Sequence, residues 1–169
     1  MLLSYDIHAN GYDPKLLQES LLSILEANAL CSMSTANGAL PYINTAYFAY
    51  APDLKLYFLS QLTRQHSLNL AANPNISLTV FNSEQPWGSL LQGLQIFGEC
   101  ALTEGQSACA AFDLYSKRFA KFLDLVPSFA DYKRSAIQSR FYEITVSNVK
   151  IFDEPRFGKD VWISANIAN

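Results

Sequence analysis

The stretch LKLYFLSQLTRQHSLNLAANPNISLTVF, Leu54–Phe81, decides the reading of this chain. LKLYFLS and ISLTVF are β-prone runs, and the segment between them is first polar and then helical. The stretch therefore reads as a strand, a short turn, a short helix and a second strand. The helix is expected from about Arg64 and no further than Asn73, because a residue before proline is pushed out of the helical region. Ser60, Thr63, Arg64, Gln65 and His66 crowd the junction between strand and helix. The start of a helix leaves backbone N–H groups unpaired and carries the positive end of the macrodipole. Hydroxyls, a guanidinium and an imidazole at that point compose a phosphate cradle. A second reading stands beside it: Thr63 caps the helix and Arg64 is a solvated charge. Spacing alone does not separate the two.

Outward from this stretch the chain is mostly strands. Asp13-Pro14 suits a helix start, and Leu17, Leu21, Ile24 and Leu25 follow at helical spacing. Asn37-Gly38 sits between two β-prone runs, where a tight hairpin turn needs positive φ. Ala51-Pro52-Asp53 marks another turn. A long strand, LLQGLQIFGECALT, carries Gly93 and Gly98, which suggest a bulge, a bend or a close backbone approach. Thr103 to Gln106 matches a capping box before a helix whose Ala108, Phe112, Tyr115, Phe119 and Phe122 share a face, with Asp113, Lys117, Arg118 and Lys121 on a solvated side. A short helical stretch is expected over Ser128–Ser139. A last strand, RFYEITVSNVKIFDE, precedes a tail with no assigned element. Strand–helix alternation of the doubly wound kind is absent. The expected fold is mainly β within the α+β class: a mostly antiparallel barrel with peripheral helices, as one domain over residues 1–169.

The composition excludes several classes. The 169 residues are half hydrophobic and carry a net charge of −3, with no Lys/Arg-rich run, so no nucleic-acid partner is expected. Cys31, Cys100 and Cys109 include no C-x-x-C pair and read as small buried hydrophobes in a reducing compartment. No signal-peptide pattern and no apolar run of membrane-spanning length occurs, so a cytoplasmic location is expected. Dinucleotide and triphosphate loops, H-E-x-x-H and G-x-S-x-G are all missing. The two histidines, His8 and His66, are too few for a His-rich metal site, and no metal is expected. His8 falls in an N-terminal arm expected to be flexible. Asp6, Asp13 and Asp53 read as caps or turn residues.

Four segments in this order resemble the FMN-binding split barrel of the pyridoxamine 5′-phosphate oxidase superfamily: PYINTAYFAYAPDLKLYFLS, SQLTRQHSLNLAANPNISL, LQGLQIFGECALTEG and RFYEITVSNVKIFD. The resemblance runs from about Leu17 to Asp153. The tail RFGKDVWI resembles that of small relatives, and the basic C-terminal motif of the true oxidase is missing, so the oxidase activity itself is not expected. The resemblance implies an antiparallel split β-barrel and a homodimer with FMN at the subunit interface. Ser60, Arg64, Gln65 and His66 would hold the phosphate. The family usually places Arg-Lys or Ser-Arg-Lys there, whereas this chain has Arg-Gln-His, with less fixed positive charge. Asn44, Thr45, Tyr57, Phe58 and Leu59 would line the isoalloxazine ring. Gln92, Trp87 or Trp162 would come from the partner subunit, although Gly93 falls nearer the family's Gln position and Trp162 equally suits an interface anchor.

Two functions from different classes follow. One is a flavin-dependent oxidoreductase acting on a small molecule, with the flavin carrying the redox chemistry. The other is a non-catalytic carrier or sensor of flavin or haem, for which only His8 and His66 are natural axial ligands.

Overall fold

The computed structural model describes residues 5–134 and 137–168. Its strands are β1 (Asp6–His8), β2 (Leu30–Asn37), β3 (Leu40–Tyr50), β4 (Leu56–Gln61), β5 (Asn75–Phe81), β6 (Gln92–Leu102), β7 (Ser139–Asp153) and β8 (Trp162–Ala168). The helices are α1 (Pro14–Ala27), α2 (Gln65–Ala72), α3 (Gly105–Arg118), α4 (Phe129–Lys133) and α5 (Glu154–Phe157), and a 3-10 turn spans Ala120–Asp124. All strand pairings are antiparallel. The order β7-β4-β3-β2-β5-β6 closes into a six-stranded barrel because β6 also pairs with β7. The first half of β7 pairs with β4, and its second half carries β8 and then β1 outside the barrel.

Period-two alternation builds the core. Met33 on β2, Phe48 on β3, Leu56 and Phe58 on β4, Ile96 on β6 and Ile144 on β7 point inward and are fully buried. Asp13 caps α1 by accepting from the Lys15 N–H at 3.0 Å, and Leu17, Leu21, Ile24 and Leu25 pack onto the barrel. Gly38 turns the β2–β3 hairpin with φ +58°. At Gly98 the β6–β7 register shifts, and a Cβ there would meet the carbonyl of Thr145, so the bulge and the close approach require glycine together.

The opposite, outward positions of β3, β4 and β7 are covered too. Ala49, Tyr57 and Phe141 pack under Phe112, Tyr115 and Phe122 as a second, aromatic-rich cluster.

Several expectations need correction. Residues 5–8 are not a loose arm: β1 pairs with β8, and Tyr5 and Ile7 are buried. The tail contains β8, held by the long β7. Thr103 does not cap α3; its N–H and hydroxyl both donate to the Phe141 carbonyl at 2.9 Å. Arg118 is not solvated, since its Nη2 donates to the carbonyls of Leu25 and Asn28 at 2.6 and 2.7 Å. The guanidinium also lies over the rings of Phe48 and Tyr50, and burial lowers its pKa. The helix expected over Ser128–Ser139 is only α4, with Ser128 as its N-cap; residues 135 and 136 lie outside the described residues.

Candidate functional site

Polar residues concentrate at the end of the barrel where β2 and β4 finish and α2 packs. Inward positions that are apolar further down each strand become hydroxyls and amides there: Thr35 on β2, Asn44 on β3 and Ser60 on β4. Thr35 and Ser60 are buried. Ser60 Oγ lies 2.6 Å from His66 Nε2. Ser67 donates to the Gln61 carbonyl at 2.8 Å, with Ser60 Oγ 3.4 Å away. Asn69 Nδ2 donates to Thr35 Oγ1 at 3.0 Å and its Oδ1 accepts from Gln65 Nε2 at 2.8 Å. Asn44 stands opposite Met33, one same-face step from Thr35, and its buried Oδ1 has no hydrogen-bond partner. A buried acceptor of this kind calls for a donor.

Arg64, not Thr63, is the N-cap of α2, and no side chain caps the helix start. The Arg64 side chain is exposed beside it. Burial, and then the Arg64 charge, lower the His66 pKa from its ordinary 6.5, which favours the neutral imidazole. Arg140 stands opposite Ser60 in the β4–β7 register. Its Nη1 donates to the carbonyls of Ile137 and Ser139 at 2.9 and 2.8 Å.

The second feature is the outer face of β2, β5, β6 and the first part of β3, which no element among the described residues covers. Adjoining clefts of ≈ 760, ≈ 450, ≈ 260 and ≈ 370 Å³ run across it. Hydroxyls of Ser32, Thr45 and Thr79 alternate there with exposed Ile43, Tyr47 and Phe81. Thr45 and Ser32 lie 3.2 Å apart, Oγ to Oγ. Gln92 and Trp162 line the ≈ 370 Å³ cleft at its edge. Trp162 stacks on Phe152 with ring centroids 4.3 Å apart and stays 51 % exposed.

The structure thus brings Ser60 and His66 together, places Asn44 nearby at the barrel end, and puts Thr45, Gln92 and Trp162 on one outer face. Gln65 faces Asn69 rather than the Ser60–His66 pair. Tyr57, Phe58 and Leu59 do not form one ring-lining set, because successive strand residues point to opposite faces. Phe58 is inside the barrel, stacked on Tyr142 at 5.1 Å. Tyr57 and Leu59 face the aromatic layer under α3. The Tyr57 hydroxyl donates to Glu143 Oε2 at 3.1 Å, and burial raises its pKa, helped by that carboxylate. Trp87 is fully exposed in the β5–β6 loop.

Sequence reasoning missed the carboxylate that positions Gln92. Asp153 is fully buried and accepts from Gln92 Nε2 at 2.8 Å and from Ser20 Oγ at 2.6 Å, with Arg156 Nε at 3.0 Å. The one sequence signal was an acidic pair, Asp153-Glu154, ending an apolar strand. Among the described residues no group of three or more His, Cys, Asp or Glu could hold a metal ion.

A closed six-stranded antiparallel barrel with a short helix inserted between β4 and β5 defines a split-barrel protein. A model of the pyridoxamine 5′-phosphate oxidase family matches residues 17–153, and the chain belongs to that family. A search of curated protein sequences finds no match. Solved structures with this fold include an FAD-binding protein from Mesorhizobium loti, 19% identical over 99% of this chain and 100% of that one, with a TM-score of 0.60. The haem storage protein HutZ from Vibrio cholerae is 16% identical over 77% of this chain and 89% of that one, TM-score 0.61. A haem-binding protein from Mycobacterium smegmatis is 14% identical over 92% of this chain and 59% of that one, TM-score 0.69. At these identities the likeness is one of fold.

Proposed function

We propose that the protein binds FMN as a homodimer and acts as a flavin-dependent oxidoreductase on a small molecule. The observation that carries this reading is the convergence at the start of α2. A fixed cation (Arg64) and a hydroxyl–imidazole pair (Ser60 and His66) meet there, and β3 of the same barrel carries an unsatisfied buried acceptor (Asn44 Oδ1). The donor set fits a phosphate, and Asn44 Oδ1 fits a ligand N–H or O–H. When bound, FMN would supply hydride exchange. The chain's own task would be to hold and orient the ring and exclude water, which needs no strong acid or base, in keeping with the lack of a catalytic constellation.

The uncovered outer sheet face supports the dimer. Its exposed Ile43, Tyr47 and Phe81 would be buried against a second copy, and the hydroxyl-lined clefts between them would be closed. Free thiols at all three cysteines suit the reducing cytoplasm. No helix among the described residues is long and apolar enough to cross a membrane. The haem-carrier reading has less support from this chain, because Nε2 of His66 is already engaged by Ser60 and His8 lies on β1, outside the closed barrel.

The test is the absorption spectrum of freshly purified protein with mass analysis of released ligand, followed by FMN titration and light scattering. Flavin bands or saturable FMN uptake by a dimer support the reading. Arg64→Ala should then weaken FMN binding by about 1.5–3 kcal/mol, the range for a charge-assisted hydrogen bond. A Soret band, or no flavin uptake by the folded protein, refutes it.

A further inference from the structure

Resting on the flavin reading above, we propose that His66 sets the affinity for the phosphate, so that retention of phosphorylated flavin is conditional on protonation of its imidazole. The geometry supplies a switch with two effects. In the neutral Nδ1–H tautomer the Ser60 hydroxyl donates its proton to His66 Nε2 at 2.6 Å, and neither Ser60 Oγ nor Nε2 then has a proton to offer a phosphate oxygen. Once the imidazole is protonated, Nε2–H donates to Ser60 Oγ. The Ser60 proton is then free to turn toward the phosphate, and the imidazolium adds a positive charge. One proton taken up thus creates both a cation and a donor.

The surroundings favour the neutral form until an anion arrives. Arg64, at the N-cap of α2, repels a second positive charge, and burial disfavours the imidazolium. From β4 the nearest polar group is Ser60, and the Phe58 ring lies 6.4 Å from the imidazole. From β7 come Tyr142, whose pKa burial raises, and Arg140, whose guanidinium also lies 5.6 Å from the Tyr132 ring centroid. Thr35 on β2 and Asn44 on β3 carry no charge, and burial pushes the Cys100 thiol of β6 up to about 12. No carboxylate among the described residues forms an ion pair with His66. A phosphate at this end of the barrel would therefore be the anion that pulls the proton on.

The sign follows from linkage. If binding takes up one proton, affinity rises as pH falls, by up to about tenfold per pH unit, between the values His66 has in the complex and in the free protein. The second ionisation of the phosphate, at about 6, acts in the opposite direction below that pH, so the rise is read above about pH 6.

The experiment is a fluorescence-quenching titration of the full chain with FMN and with riboflavin at pH 8, 7 and 6, for wild type, His66→Lys and His66→Gln. Wild type is expected to bind FMN about tenfold more tightly at pH 6 than at pH 8, with riboflavin unchanged. His66→Lys should bind FMN more tightly than wild type at pH 8 with a flat profile, and His66→Gln should be weak and flat. With only two histidines in the chain, the His66 imidazole can also be followed by NMR in the wild type, and its titration should move to higher pH when FMN is added. FMN binding with a flat wild-type profile, or a slope that survives in His66→Gln, overturns the proposal and leaves the flavin reading standing. Failure of both FMN and riboflavin to bind at any pH overturns the flavin reading and the proposal with it.

Discussion

Replacing Asp153 with alanine should be the most damaging single change to the edge of the outer cleft. The carboxylate is fully buried and joins three elements: α1 through Ser20, β6 through Gln92 and α5 through Arg156, at 2.6, 2.8 and 3.0 Å. Removing it leaves the buried Ser20 hydroxyl without its acceptor, frees the Gln92 amide, and leaves Arg156 to be rehydrated. An orphaned buried donor costs about 1–3 kcal/mol, and breaking a buried charged pair about 3–5 kcal/mol. Arg156 is one-third exposed and recovers water, so the total falls around the lower end of the sum, about 3–5 kcal/mol. At roughly 2–4 °C per kcal/mol for a chain of this size, the melting temperature should fall by about 6–20 °C. Asp153→Asn should cost less, because the amide keeps one acceptor and the Ser20 hydroxyl can rotate. Urea unfolding of both variants, with Ser20→Ala as the second arm of a double-mutant cycle, measures these terms. A loss below about 1 kcal/mol for Asp153→Ala, or no coupling to Ser20, would refute the claim that this carboxylate holds the three elements together.

Gly98→Ala places a Cβ against the backbone of Thr145 and Val146, and neither can move without breaking the β6–β7 ladder; a loss above about 2 kcal/mol in urea unfolding is expected. Arg118→Met keeps the aliphatic contacts but abandons the carbonyls of Leu25 and Asn28, for a loss of about 2–4 kcal/mol by thermal melts. Glu154 accepts from the N–H groups of Leu91 and Asp160 at 2.7 and 2.9 Å, and these bonds hold its pKa below the usual 4.5. Its contribution is therefore present above pH 4.5 and lost as pH falls through the lowered value; Glu154→Gln should flatten that part of an acid-unfolding curve.

The strands were legible because each carries its own evidence. Period-two alternation, Asn37-Gly38 and the Pro74 stop all act within a few residues, and the helix expected from about Arg64 is α2, starting at Gln65. Thr63 suited an N-cap in one of the two readings because hydroxyls are favoured at helix starts on average; the cap is Arg64, as set by how α2 seats on the barrel. Arg118 read as solvated for a similar reason: charge at helical spacing marks an outer face unless a distant segment supplies acceptors, and here the end of α1 does. Strand phase was available for Tyr57, Phe58 and Leu59, and alternation alone separates them. Which of the two faces is covered depends on where α3 packs.

What the sequence determined by itself was the order and nature of the barrel strands, the turn positions, and the cluster of polar residues between Ser60 and His66, because these depend on short-range propensity and spacing. Only the tertiary structure decided that Asp6–His8 and Trp162–Ala168 are strands. β1 is three residues long and among the described residues pairs only with β8, which in turn lies beside the long β7. The same holds for the site: the Ser60–His66 contact, the unsatisfied oxygen of Asn44 and the buried Asp153 depend on which chain segments meet, and closure of the barrel settles that.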